Sequence, residues 1–259
     1  MNMTPSEKIS AAIAAAPGKT AIVAFITAGY PSRAKFREHL AQVGSAADVV
    51  EIGVPFTDPM ADGVTIQRSS REALAQGFTL AWLLEELASM QRGGSLPRAP
   101  LVLMSYLNPL MAYGYDRLAA DSARAGVCGF IVPDLPYDEA DEFRAAMTRH
   151  GLALIQMVTP VTEPARLAKL CAASQGFVYA VTMTGTTGRN AAVPGEVARY
   201  LDTVAATAKL PVCAGFGIRS RDQVEQLKGH VAGVIVGSAL VEVLESGKDP
   251  TAFLNSLRP

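Results

Sequence analysis

The chain has 259 residues, 49% of them hydrophobic, with 23 Lys and Arg against 24 Asp and Glu. That is enough apolar material for a sizeable buried core, and the length fits either two domains or one α/β barrel. The near-neutral balance has no long block of either sign, which excludes the electrostatic footprint of a nucleic-acid or anionic-membrane binder.

Three cysteines, Cys128, Cys171 and Cys213, are an odd number without metal-like spacing. Cys128 and Cys213 fall in predicted strands and read as small buried hydrophobes rather than as a disulfide or a nucleophile. The first eight residues have no apolar core of a signal peptide. The longest uncharged stretch, 99–115, is broken by Pro100, Asn108, Pro109 and Gly114 and falls short of the roughly 20 apolar residues of a membrane span. We therefore expect a soluble protein of a reducing compartment, the cytoplasm.

In chain order, residues 5–16 form a helical pattern closed by Pro17-Gly18, and 20–27 are the first strand. Ser32 is positioned to cap a helix reaching about Val43. A second strand at 47–50 carries Glu51 at its carboxyl end, where Gly53 and Pro55 stop regular pairing. Helices follow over about 65–76 and 80–91. The third strand, 100–106, leaves through a turn at Leu107-Asn108-Pro109, ahead of a helix over 116–125. Strands at 128–132, 152–158, 176–182, 210–214 and 233–236 then alternate with helices at 139–150, 163–173, 195–208 and 220–228. Two short helices end the chain.

Nearly every strand is a short apolar block rather than an in/out alternation, the pattern of parallel strands covered by helices. Eight such units at this length fit a closed (β/α)8 barrel, an α/β fold with an extra N-terminal helix, as one domain over 1–259. No Gly-x-Gly-x-x-Gly turn follows the first strand, which weakens a dinucleotide-binding reading.

In such a barrel the strand carboxyl ends and the following loops form the active face. Glu51, Asp62, Tyr106, Asn108 and Asp134 all map there. Burying Glu51 is costly unless it is paired or used in chemistry. Two carboxyls on one strand–loop unit suit an acid/base and a substrate anchor; the alternative is an ion pair for Glu51 and turn or N-cap roles for Asp58 and Asp62. Glycines after the last three strands (Gly185 and Gly188, Gly215 and Gly217, then Gly237-Ser238 at a helix start) suit a phosphate held by backbone N–H groups; tight βα turns alone also call for glycine. Taken alone, Tyr179 reads as core and Trp82 as packing. His39, His150 and His230 fall on helices or their ends and are not read as catalytic, and no His-rich cluster has metal-ligand spacing.

The run Glu51-x-Gly53-x-Pro55-Phe56-x-Asp58-Pro59-x-Ala61-Asp62-Gly63 resembles the signature of the tryptophan synthase α subunit family. Phe25 to Pro31, Tyr106 to Pro109, Pro133 to Pro136, the 185–188 loop, Gly215 to Ile218 and Gly237-Ser238-Ala239 match family landmarks in order, so the resemblance covers nearly the whole chain. Val64 stands where Pro is usual, and Thr186 where a Gly-Val-Thr-Gly loop has Val.

The resemblance implies retro-aldol cleavage of indole-3-glycerol phosphate to indole and glyceraldehyde 3-phosphate, without a cofactor in this chain. It implies Glu51 as proton shuttle, Asp62 as acceptor of the indole N–H, and Tyr179 as an assistant. Gly188, Gly217, Gly237 and Ser238 would hold the phosphate, with Phe25, Met104, Tyr106, Ile131 and Ile235 around the substrate and Thr187 closing over it. It also implies a pyridoxal-phosphate-containing β subunit as allosteric partner in an αββα heterotetramer. Contacts would come through Asp58, Pro59, Asn108, Pro109, Asp134, Leu135 and Pro136. Three alternatives stand beside this reading: a free-standing indole-releasing lyase, another phosphosugar or indole-pathway barrel, and an inactive partner that only stimulates β. The absence of Lys from the predicted strands counts against the second.

Overall fold

Eight parallel strands close on themselves in sequence order, as seen in a computed structural model that describes residues 3–182, 195–215 and 217–259. The strands are β1 (Ala21–Thr27), β2 (Val49–Gly53), β3 (Leu101–Met104), β4 (Val127–Ile131), β5 (Ala153–Val158), β6 (Val178–Val181), β7 (Val212–Gly215) and β8 (Gly233–Val236). The helices are α1 (Pro5–Ala14), α2 (Phe36–Ala46), α3 (Val64–Ala75), α4 (Leu80–Arg92), α5 (Leu107–Tyr113), α6 (Tyr115–Arg124), α7 (Asp141–Arg149), α8 (Pro164–Ala173), α9 (Gly195–Thr207), α10 (Arg221–Leu227), α11 (Ser238–Glu245) and α12 (Pro250–Leu257). This is the expected (β/α)8 barrel with its extra N-terminal helix.

The apolar blocks are explained by burial on both faces. Ile22, Ile26, Ile52, Leu103, Phe130 and Val234 pack outward with the helices, whereas Val23, Val49, Val102, Ile155, Cys213 and Ile235 form a separate interior cluster. Helix α1 joins that interior cluster through Ile9 and Ile13, both buried. A reciprocal cap starts α1: the Glu7 N–H donates to Thr4 Oγ1 at 3.2 Å, and the Thr4 N–H donates to Glu7 Oε2 at 2.7 Å. All three cysteines are free and buried, as packing residues would be.

Three local expectations are corrected. Leu107-Asn108-Pro109 opens helix α5 instead of a turn, because Pro109 falls in the first helical turn, where the missing N–H costs nothing. The Asp134 carboxylate caps that helix by accepting the Leu107 N–H at 2.8 Å. Ser32 makes no side-chain cap: a short 3₁₀ turn at Arg33–Lys35 intervenes, and α2 begins at Phe36. Strand β2 continues through Gly53, which pairs with Thr27 and Met104, so Glu51 is central in its strand rather than at the end.

Candidate active site

Gly53 keeps its place in the ladder for a steric reason. A Cβ there would sit 2.4 Å from the Phe25 ring, so only glycine lets that ring lie across the strand end. The ring belongs to the residue registered beside Glu51, whose other neighbour is Val102. Strand β2 thus delivers a carboxylate into an apolar interior.

A cavity of about 170 Å³ opens above it, lined by Phe25, Glu51, Asp62, Ile66, Met104, Tyr179, Val181, Gly215, Gly217, Ile235, Gly237 and Ser238. These come from six strands, the loops after β2, β7 and β8, and the first turns of α3 and α11. Glu51 is 1% exposed, and its Oε2 has no hydrogen-bond partner among the described residues. Burial first, and the nearby Asp62 charge second, push its pKa up to about 8. At neutral pH the group therefore carries a proton and has an uncommitted oxygen, which is what a general acid needs. The ion-pair alternative for Glu51 fails, since no cation partners it among the described residues.

Asp62 is half-buried, and desolvation raises its pKa to about 6, opposed by the Tyr106 hydroxyl. It remains largely ionised at neutral pH. The loop that presents it is fastened by Tyr106, whose hydroxyl accepts the Ala61 N–H at 2.9 Å and whose ring stacks on Phe56 at 5.3 Å. Asp62 is not a helix cap; Gly63 fills that position, and the Asp62 carbonyl accepts from Gln67 Nε2 at 2.8 Å. Asp58 is exposed, and its carboxylate accepts the Thr57 hydroxyl at 2.5 Å.

On the opposite wall, Tyr179 lies across Gly215, where a Cβ would approach the phenol oxygen to 2.9 Å. Burial, and then the Glu51 carboxylate, hold the Tyr179 pKa well above 10. Gly217 has φ +68°, a left-handed backbone that favours glycine. Gly237 precedes α11, so the positive end of that helix faces the cavity beside Ser238. No group of three His, Cys, Asp or Glu among the described residues could hold a metal ion.

A family model described as tryptophan synthase alpha chain matches residues 12–257. The chain belongs to the tryptophan synthase alpha chain family. A relative of that name from Nitratidesulfovibrio vulgaris is 43% identical over 244 residues, spanning 94% of each chain. Tryptophan synthase subunit alpha from Legionella pneumophila superposes with a TM-score of 0.87 at 33% identity, covering 99% of this chain and 98% of that one. A tryptophan synthase structure from Mycobacterium tuberculosis gives 0.86 at 35% identity, with 96% of each chain covered.

Within this tryptophan synthase alpha chain fold, nine of the expected site residues share the cavity: Phe25, Glu51, Asp62, Met104, Tyr179, Gly217, Ile235, Gly237 and Ser238. Tyr106 braces the Asp62 loop without lining the cavity, and Ile131 is buried among the interior residues. Thr187 and Gly188, with Gly185, Thr186 and Phe216, lie outside the described residues. Sequence reasoning did not single out Ile66 or Val181. A faint signal existed for Val181, two residues after Tyr179 and so on the same side of β6.

Proposed function

We propose that the chain cleaves indole-3-glycerol phosphate to indole and glyceraldehyde 3-phosphate by a retro-aldol reaction in which Glu51 moves both protons. The observation that carries this reading is a fully buried carboxyl, its pKa pushed up to about 8 and one oxygen without a partner among the described residues, sharing a cavity with the more exposed Asp62 in a member of this family. Neutral Glu51 donates its proton to indole C3. The resulting carboxylate takes the proton of the adjacent side-chain hydroxyl. The O–H electrons become the aldehyde C=O, and the electrons of the breaking carbon–carbon bond restore the aromatic ring. Glu51 ends as it began, protonated.

Asp62 accepts the indole N–H, so its negative charge faces the positive charge that develops on the ring in the protonated intermediate. Tyr179 assists proton transfer with its neutral phenol. Gly217, Gly237 and Ser238, with Gly188, hold the phosphate at the positive end of α11. Phe25, Met104 and Ile235, together with Ile66 and Val181, supply apolar walls for the ring. Every step is a proton transfer or a bond cleavage, so this reading calls for no cofactor in the chain.

The partner is a β subunit carrying pyridoxal phosphate, which consumes indole within an αββα assembly, in the cytoplasm. No helix of the described residues is long and apolar enough to cross a membrane. Supporting a docking face at the open end of the barrel, Met60, Val64, Met111 and Val161 are the large apolar side chains exposed in the segments after β2, β3 and β5. Asp58, Asn108, Asp134 and Pro136 are exposed, and Pro59, Pro109 and Leu135 half-buried, in the segments after β2, β3 and β4. Val64 is 82% exposed at the first position of α3, where Pro and Val both fit, so this departure leaves the helix start intact.

The test is indole release from indole-3-glycerol phosphate by the purified chain, alone and with β subunit. Slow release that rises sharply with β is expected. Fast release that ignores β would make the chain a free-standing lyase, and no release in either case would overturn the activity.

A further inference from the structure

Helices α3 and α11 each begin at one end of the cavity, and polar pairs join them further along. Asp62 lies two residues before α3, and Gly237-Ser238 starts α11. Thr65 donates its hydroxyl to Glu242 Oε1 at 3.4 Å, and the Arg68 guanidinium pairs with Glu245. Both pairs step by three residues on both helices, so they stand as successive rungs on facing sides. Arg219, two residues beyond Gly217, grips the Glu242 carboxylate with two hydrogen bonds of 2.7 and 2.9 Å. Glu242 therefore joins the Asp62 arm, the loop after β7 and the helix of the phosphate end.

We infer that this two-rung clamp fixes the distance between Asp62 and the phosphate end of the cavity, with Glu242 and Glu245 as positioning residues. The inference rests on the site reading above. Solvent-exposed ion pairs contribute little to folding, and these are more than a third exposed. A substrate held at both ends is far more sensitive: each half must meet its anchor while the reacting atoms stay aligned, and a small error in spacing costs rate steeply. The clamp should thus matter for the whole substrate and not for its halves.

The test compares indole-3-glycerol phosphate with inorganic phosphate and free indole as competing half-ligands, in E242Q/E245Q and in the unaltered chain. We expect kcat/KM for the whole substrate to fall about tenfold in the double variant, while both inhibition constants stay within about twofold. E245R, which sets two cations face to face, should show the same loss, and R68E/E245R should restore it. An unchanged kcat/KM in E242Q/E245Q would overturn the inference, as would an equal loss of whole and half ligands. If inorganic phosphate fails to inhibit the unaltered chain, or if E51Q turns over normally, the site reading fails and takes the inference with it.

Discussion

The two ends of the barrel are built from the same eight strands and treat polarity in opposite ways. At the amino ends, α1 plugs the interior with Ile9 and Ile13, and Ser10 ties the plug to the Gly176 carbonyl at 2.5 Å. Toward the carboxyl ends, from the middle of β2 onward, the interior opens on Glu51, with an oxygen that no described residue satisfies. One end spends its sequence on burial and the other tolerates a group that burial penalises. The lesson is that burial and chemistry are segregated along the strand direction, so a core substitution at the amino ends should spare turnover, whereas loss of the buried carboxyl changes turnover and, above about pH 4.5, stability as well.

Substitutions at each end test that division. Glu51→Gln should lower turnover by about 10²- to 10⁴-fold, read as indole release at saturating substrate. The same change should stabilise the fold at high pH. The folded protein holds the Glu51 proton up to about pH 8 and the unfolded chain only to about 4.5, so stability is fully present below the lower value and is lost as pH rises through the upper. The gap corresponds to roughly 5 kcal/mol at most, so the melting temperature of E51Q should overtake that of the unaltered chain progressively between these limits and should match it near pH 4.

Ile9→Ala, at the other end, should cost about 2–5 kcal/mol in denaturant unfolding while leaving kcat/KM within about twofold. A large loss of activity in the folded variant would break the contrast. Asp62→Asn should reduce kcat by about 10²-fold. In the unaltered chain, kcat/KM should be bell-shaped, falling below about pH 6 as Asp62 protonates and above about pH 8 as Glu51 ionises. The residual activity of D62N should lack the acid limb. The smallest effect is expected for Tyr179→Phe, about 2- to 10-fold in kcat, the size of one neutral hydrogen bond.

Much of this arrangement was legible in the sequence because local signals and the global fold agree. Strands such as 233–236 are apolar blocks since helices cover one side and the barrel interior the other, and their count alone placed Glu51, Gly217 and Gly237 on one face. What was hidden depends on residues distant in the chain. Helix α5 looks like a turn because Pro109 reads as a breaker, and its cap is supplied by Asp134 from the next loop. Tyr106 is visible as a strand-end residue, but its bond to the Ala61 N–H exists only once β2 and β3 are paired. Ile66 looks like any apolar position of an amphipathic helix until the loop before it is folded. Glu242 and Glu245 carry no motif, and their partners Arg219, Thr65 and Arg68 lie on other elements.

The protonated state of Glu51 also bears on how small molecules would be recognised. A pocket with two carboxyls invites a search for positively charged inhibitors. Here the inner group is neutral at physiological pH and offers a hydrogen. A ligand that presents a carbonyl or ring-nitrogen acceptor to Glu51, and an N–H to Asp62, would match both groups as they stand. An amine aimed at Glu51 would first have to remove that proton, and the resulting ion pair would sit where the surroundings least support charge. Selectivity at the Glu51 end of this site should therefore follow donor–acceptor pattern rather than net charge.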